Sequence, residues 1–572
     1  MLLKLPAEIL REIAQQVTDK EDLKSLCEVS TYLYSIAIPI LYEQVTIVSK
    51  DEEHLENMPV VQTLCTSRNL LGHIKNIEFA SPFHIFRGFG RCSHNRRLPD
   101  IDTEEDLLPE NSCFIRLSAN VVTLLEGCPN NNLQSFTWGL GTCIPQEIIG
   151  SSGLLTLKQK QIESMQLITA GSCYGNLTSQ SPMNLSGFTR LKKLSWKGMK
   201  SENDWETLKN TLKQSSHQLV ELELDFVEWV RLKSGLFTDD KPGSSFTRPK
   251  PPQGTPRMFP ALQVLSLSEF MFESDAMYLA YAFDFALLRS LKLNYSCWKE
   301  FLLGSRLNRP SRLKCLEIGI DIPIYDGEAE KLIPEFLQSF NGLEQLALLT
   351  CSPSPTLDIW RAALHHKSTL KAFVHHQRDY IQNDDLGFEE YCDNPNLSLA
   401  LVEEEVAGWT ENPSENPLSE FNLEFLGICL DPKLLERVLA PIAKTSSLRV
   451  LHIRQSPTHF QFASWGLHDD RKGTDESGAV KLHKILHDFA QWAFGPEGLP
   501  SLKVIVYGDF SFQGRYAETH VFLYRNAELH QMQEQCDACE TYHHFSRGDW
   551  QKDLLDKYSS SLAACPFGHL MQ

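Results

Sequence analysis

The residues best suited to chemistry lie near the end of the chain. Cys536-x-x-Cys539 is followed by His543-His544 and then by Cys565-x-x-x-His569. Thiolate and imidazole ligands at such spacings can close a tetrahedral zinc site, and a short tail poor in apolar residues gains folding energy from a bound metal. Cys536, Cys539, His543, Cys565 and His569 are therefore the metal candidates. Their spacing matches no familiar zinc finger, and the preferred reading is plainer: a helix with incidental Cys and His. A redox Cys-x-x-Cys is weaker still, because no thioredoxin-like βαβ pattern precedes it.

Catalytic motifs are otherwise missing. Gly88-Phe89-Gly90 and Gly139-Leu140-Gly141 lack the third glycine and the helix signal of a phosphate-cradling loop. Gly171-Ser172-Cys173-Tyr174-Gly175 puts Cys where a nucleophile elbow needs Ser. With 19 His and 73 Asp+Glu, chance acid–base pairs are guaranteed, so composition alone assigns no catalytic site. The expectation is a protein that does no covalent chemistry, with no cofactor apart from the zinc alternative.

The 572 residues carry a net charge of −19, which argues against a general nucleic-acid binder because that needs a basic face. Hydrophobic content of 42% with 10% aromatics excludes wholesale disorder. No run of about 18 apolar residues occurs, so no membrane partner is expected. The 15 Cys are odd in number, dispersed and mostly in apolar stretches, as at Cys65, Cys128, Cys315 and Cys429. Buried thiols in a reducing compartment fit that pattern, and the expected location is intracellular, cytoplasmic or nuclear.

Three short helices are expected in the first fifty residues. Pro6 and Glu8 suit a helix start, and Ile9, Leu10, Ile13 and Val17 recur on one face at helical spacing. Thr18-Asp19-Lys20-Glu21 matches a capping box and opens a second helix with Leu23, Leu26 and Cys27. A third runs from Ser30 to Ile38 and is expected to stop at Pro39. So small a unit cannot bury all its apolar faces alone.

The ordered, gapless set Leu5, Pro6, Glu8, Ile9, Leu10, Ile13, Asp22, Leu23, Leu26, Val29, Ser30, Leu33, Ala37, Pro39, Leu41 and Tyr42 closely resembles the F-box motif of fungal F-box proteins. Tyr42 stands where many family members have Trp or Phe, a mild departure. The resemblance covers residues 1–47. It implies a Skp-type adaptor as partner, and through it a cullin, with Leu5, Pro6, Glu8, Ile9, Leu10, Ile13, Leu23 and Leu26 as the adaptor-binding residues.

From 48 to 535 the chain repeats itself. The pattern apolar-x-x-apolar-x-apolar recurs from Leu133/Phe136/Trp138 through Leu191/Leu194/Trp196, Leu219/Leu222/Leu224, Leu262/Leu265/Leu267, Leu288/Leu291/Leu293 and Leu313/Leu316/Ile318. It continues as Leu343/Leu346/Leu348, Leu370/Phe373/His375, Leu423/Leu426/Ile428, Leu448/Leu451/Ile453 and Leu502/Ile505/Tyr507. Weaker copies sit at Ile74/Ile77/Phe79, Ile162/Met165/Leu167 and Leu397/Ala400/Val402. Helical faces lie between, for example Trp205/Leu208/Leu212 and Leu332/Phe336/Phe340. A strand and a helix every 25–30 residues is the period of a leucine-rich repeat. The asparagine ladder of such repeats is mostly absent, with Asn294 an isolated match. The expected fold is therefore α/β: a helical N-terminal unit followed by a leucine-rich-repeat solenoid and a tail at 536–572.

The alternate strand positions should form a concave face that holds an unidentified protein target. That face is expected to carry Lys193/Ser195/Lys197, Glu221/Glu223/Asp225, Val264/Ser266/Ser268, Ser290/Lys292/Asn294, Cys315/Glu317 and Val450/His452/Arg454. Among these the candidate target contacts are Lys193, Lys197, Glu221, Glu223, Asp225, Lys292 and Glu317, with a sign change between neighbouring repeats. Two interruptions are expected: a Pro-rich disordered insertion near 239–257 and an acidic stretch over 378–424. The basic group Arg87, Arg91, Arg96 and Arg97 reads as a solvated loop. The expected function is substrate recognition within a Skp–cullin–F-box ubiquitin ligase. The alternative is a repeat scaffold working outside such a ligase.

Overall fold

Each apolar hexad places its second and third apolar residues in a short strand, both pointing to the side covered by helices. The first apolar residue anchors the turn just before that strand. In the computed structural model, residues 5–48, 58–81, 112–169, 183–227, 257–269, 282–296, 298–320, 329–351, 356–378, 381–383, 388–390, 399, 401, 403–454, 484–508, 510–511, 520–525, 542–544 and 552–566 are described. They belong to an α/β protein in which parallel strands alternate with helices, grouped in two compact units, Met1–Leu262 and Gln263–His569.

The first unit opens with helices α1 (Ala7–Gln15), α2 (Lys20–Val29) and α3 (Thr31–Leu41). Six parallel strands follow in chain order: β1 (Gln44–Val48), β2 (Asn76–Ala80), β3 (Ser135–Gly139), β4 (Ser164–Ile168), β5 (Lys193–Met199) and β6 (Glu221–Phe226). Their burial alternates, as in β2, β3 and β6, so one face packs on helices and the other faces outward. Phe79, Phe136 and Trp138 stack through neighbouring strands with centroids 5.7–6.4 Å apart. Trp205, Leu208 and Leu212 of the helix Glu202–Ser215 are buried as their spacing predicts. Fully burying a side chain of this kind contributes about 1.5–3 kcal/mol.

The second unit continues the pattern with β7 (Val264–Ser268), β8 (Ser290–Asn294), β9 (Cys315–Gly319), β10 (Gln345–Cys351) and β11 (Ala372–Arg378). A small antiparallel pair, β12 (Ile381–Asn383) and β13 (Phe388–Glu390), stands apart from this sheet. Strands β14 (Phe425–Ile428), β15 (Val450–Ile453) and β16 (Val504–Tyr507) resume the parallel order. The run then turns antiparallel with β17 (Val521–Arg525) and β18 (Tyr542–His544), neither of which the repeat pattern predicts.

Several expectations change. The strand expected from the copy at Leu397/Ala400/Val402 does not stand between β11 and β14, which pair directly, and those three residues lie outside the described residues. The described part of the acidic stretch includes a helix over Glu403–Glu411 that buries Val406 and Trp409. Asn412-Pro413 and Asn416-Pro417 each start a 3-10 turn, because Pro at the first helical position needs no N–H partner. Asn416, fully buried, accepts from Leu418 N at 2.9 Å and donates to Val438 O at 2.8 Å. Helix α3 runs through Pro39 to Leu41, held by the buried Ile36, Ala37 and Ile38. Asp19, not Thr18, caps α2, its carboxylate accepting from Glu21 N at 2.7 Å. The insertion over 239–256 and the arginines at 87–97 lie outside the described residues.

The missing asparagine ladder has a substitute. Just before the leading apolar residue of several repeats, a polar side chain bonds a carbonyl of the preceding repeat. Asn132 donates to Ile74 O, Gln218 to Thr189 O, Thr369 to Leu343 O and Ser447 to Leu423 O, all at 2.7–2.8 Å. Four residue types share one role, which satisfies backbone carbonyls that the turns would otherwise leave open.

Candidate binding surfaces

Helices α1–α3 pack around Leu10, Ala14, Leu23, Leu33 and Ile36, with Leu26 partly buried against them. Leu10 and Leu23 are thus core residues of this unit, 2% and 4% exposed. The amphipathic spacing of α1 splits between two faces. Leu5, Ile9 and Ile13 form an outward stripe at 37%, 43% and 45% exposure, with Pro6 and Glu8 also exposed. Tyr32, itself exposed, donates its hydroxyl to Leu5 O at 3.4 Å and so flanks the stripe. Val29 and Tyr34 of the same helical unit are exposed too.

In the first unit the outward ladder is as predicted in place but not in charge balance. Lys193 and Glu221 lie opposite each other and pair at 2.6 Å. Lys197 reaches Glu223 at 3.9 Å, and Ser195 donates to the same carboxylate at 2.9 Å. The sign change between β5 and β6 is therefore neutralised within the sheet and presents little free field to a partner. Asp225 is half-buried, its Oδ1 without a hydrogen-bond partner, and burial pushes its carboxyl up to about 7 against the pull of Lys197. Elsewhere the ladder carries hydroxyl and amide side chains beside the carboxylate of Glu78: Thr46 donates to Glu78 at 3.0 Å and Ser135 to Asn76 at 2.7 Å.

The second unit overturns the expectation of an open face. Asn294 and Glu317 are 5% exposed, Val450 and His452 are 0% exposed, and Arg454 is 3% exposed. The cover is a C-terminal segment, Lys552–Pro566, with two short helices at Lys552–Lys557 and Ser559–Leu562. Its Tyr558, Leu562, Ala564 and Cys565 pack among Ala347, Leu349, Ala372, Val374, Phe425 and Val450. Polar groups clamp it at both ends. Glu424 holds Lys557 and the Tyr558 hydroxyl at 2.6 Å each, and those two bonds keep its carboxyl below the usual range. Glu317 accepts the Cys565 N–H at 2.8 Å, and Tyr295 donates to Pro566 O at 2.8 Å. Arg454 spends its buried guanidinium on Ala564 O at 2.5 Å and Cys565 O at 3.2 Å. Lys292 pairs with the other oxygen of Glu317 at 3.4 Å. Glu317 thus serves this segment, and the sequence offered one hint: β14, β15 and β16 are apolar at nearly every position, as strands covered on both faces must be.

Among the metal candidates, Cys536, Cys539 and His569 lie outside the described residues. His543 is placed by its backbone in β18, opposite Tyr524, and Cys565 sits in the apolar cluster beneath the C-terminal segment. Among the described residues no group of three or more His, Cys, Asp or Glu is arranged to hold a metal ion. Cys128 and Cys429 are buried and Cys65 and Cys315 half-buried, none of the four in a disulfide, and burial raises Cys128 to about 11. Such a thiol is inert.

No helix among the described residues is long and apolar enough to cross a membrane. No protein-family model matches the chain, and no curated protein does. The described surfaces comprise an exposed apolar stripe on the N-terminal helices, a largely self-paired polar ladder and a sheet face covered by the C-terminal segment.

Proposed function

We propose that this chain is the substrate-recognition subunit of a Skp–cullin–F-box ubiquitin ligase, its parallel-strand units being irregular leucine-rich repeats. Helices α1–α3 take the F-box role and dock the adaptor, and the repeats hold a target protein. The work is done by proximity: a target held near the ubiquitin-charged enzyme gains a high effective concentration of its lysines there. The observation that carries the reading is the outward stripe of Leu5, Ile9 and Ile13, three large apolar side chains left uncovered on a helix whose opposite face is already packed. Exposed apolar groups gathered on one face mark an interaction site.

The test separates docking from folding. Ile9→Glu with Ile13→Glu should abolish capture of a purified Skp-type adaptor and leave the thermal midpoint within about 2 °C, since both side chains are exposed. Equal adaptor capture by wild type and the double variant would sink the reading.

A further inference from the structure

The segment Lys552–Pro566 lies on the second unit's sheet much as a bound peptide would. We propose that it is an exchangeable occupant of a peptide-binding face, and that the external partner is a peptide segment of another protein with the same recognition pattern. That pattern is a basic residue and an aromatic one, a single helical turn, an apolar residue four positions after the aromatic, then small residues. Here it reads Lys557-Tyr558, Leu562 and Ala564-Cys565.

Three observations support exchange over a permanent cover. First, the deepest polar contacts go to main-chain atoms of the segment: Glu317 to the Cys565 N–H, Tyr295 to Pro566 O, and Arg454 to Ala564 O and Cys565 O. Any peptide able to form the turn presents those atoms. Second, an arginine and a glutamate are buried on the covered face, with Arg454 3% and Glu317 5% exposed. A permanent lid gains little from such groups, because packed apolar residues in their place are often neutral or stabilising. A face that is periodically hydrated tolerates them. Third, the side-chain specificity is confined to a few sites: Lys557 and Tyr558 on Glu424, Ser560 on Gln345 at 3.1 Å, and Leu562 in the apolar cluster. The assignment rests on the repeats being the target-holding part only for what displaces the segment. Adaptor capture through α1 can fail while peptide exchange stands, and the reverse.

A tethered occupant competes at about millimolar effective concentration. A labelled synthetic peptide with the sequence of residues 552–566 should therefore bind the full wild-type chain weakly. It should bind the full chain carrying Tyr558→Ala and Leu562→Ala at least ten-fold more tightly, by fluorescence anisotropy under reducing conditions. Adding Arg454→Ala to that chain should remove the gain. Absence of saturable binding to the Tyr558→Ala/Leu562→Ala chain, or equal affinity for it and wild type, overturns the proposal. If that double variant fails to fold, hydrogen exchange of the wild-type chain decides. Amides of Leu562, Ala563 and Cys565, all hydrogen-bonded in the docked state, should exchange at least a hundred-fold faster than those of β10 and β11. Exchange in step with those strands means a permanent cover and overturns it.

Discussion

His375 stands where the repeat calls for an apolar side chain, and its surroundings explain how it is accommodated. Trp360 Nε1–H donates to Nδ1 at 2.9 Å and Thr350 Oγ1 lies 3.2 Å from Nε2, so the neutral ring is satisfied on both sides. Burial pushes its pKa down to about 3. Asp225 is the opposite case, a carboxyl raised to about 7 by burial. An unfolded Asp ionises near 4, so the protonated form favours the fold below that pH, and this contribution is lost as pH rises through 7. Asp225→Asn should therefore raise the thermal midpoint at pH 8 and leave it nearly unchanged at pH 4. An equal shift at both pH values would show that the carboxyl is not the cause. Across the same ladder, the Lys193–Glu221 pair is half-exposed and should couple by no more than about 1 kcal/mol in a double-mutant cycle. A larger coupling would mean that the ladder is far less hydrated than its exposure indicates.

At the scale of elements, repeats are tied to their neighbours by strand pairing and, in several, by one polar side chain ahead of the leading apolar residue. Asn416, elsewhere in its repeat, shows how much one buried amide can do. It caps the 3-10 turn at Pro417–Glu420 through Leu418 N and ties that turn to the helix Pro432–Leu439 through Val438 O. Asn416→Ala leaves both backbone groups buried and unpaired, and should cost about 1–3 kcal/mol in denaturant unfolding of the full chain. A loss below about 0.5 kcal/mol would show that water replaces the side chain. The N-terminal helices give a paired contrast. Leu10→Ala removes a core residue and should destabilise by about 2–5 kcal/mol, whereas Ile9→Ala, one position earlier on the exposed stripe, should be close to neutral. Comparable losses at the two positions would place Ile9 in a packed environment.

Over the whole molecule, neutral buried histidines make acid the weak side. His366 is pushed down to about 4, chiefly by burial and then by His365, and burial holds His452 well below its usual value. With His375 these belong to the second unit. An unfolded His takes up a proton near 6.5 and these folded ones do so only at far lower pH. Their contribution is complete above pH 6.5 and is lost as pH falls toward 4. Glu424, held low by Lys557 and Tyr558, adds a loss of the same sign at lower pH still. The urea midpoint of the second unit should therefore drop steadily from pH 7 to pH 5, and a flat profile would count against neutral, buried rings.

What the sequence alone determined is the phase of the strands, a local periodicity in which a side chain's neighbours two residues away decide which way it points. On α1 the spacing put Ile9, Leu10, Ile13 and Val17 on one face, whereas packing buries Leu10 with Ala14 and leaves Ile9 and Ile13 outward. Phe136 and Trp138, Leu222 and Leu224, and Leu451 and Ile453 are all buried where the hexads put them. The tertiary structure decided what lies against the other face of each strand. Lys193 and Glu221 meet across 28 residues of chain, and Arg454 meets Ala564 across 110, so no local pattern records either contact. The repeat period also lengthened between β11 and β14, which pair directly although the interval between them holds a further helix, Glu403–Glu411, with its own buried Val406 and Trp409. Backbone pairing is nearly indifferent to sequence, and only the complete set of packed neighbours selects which strands meet.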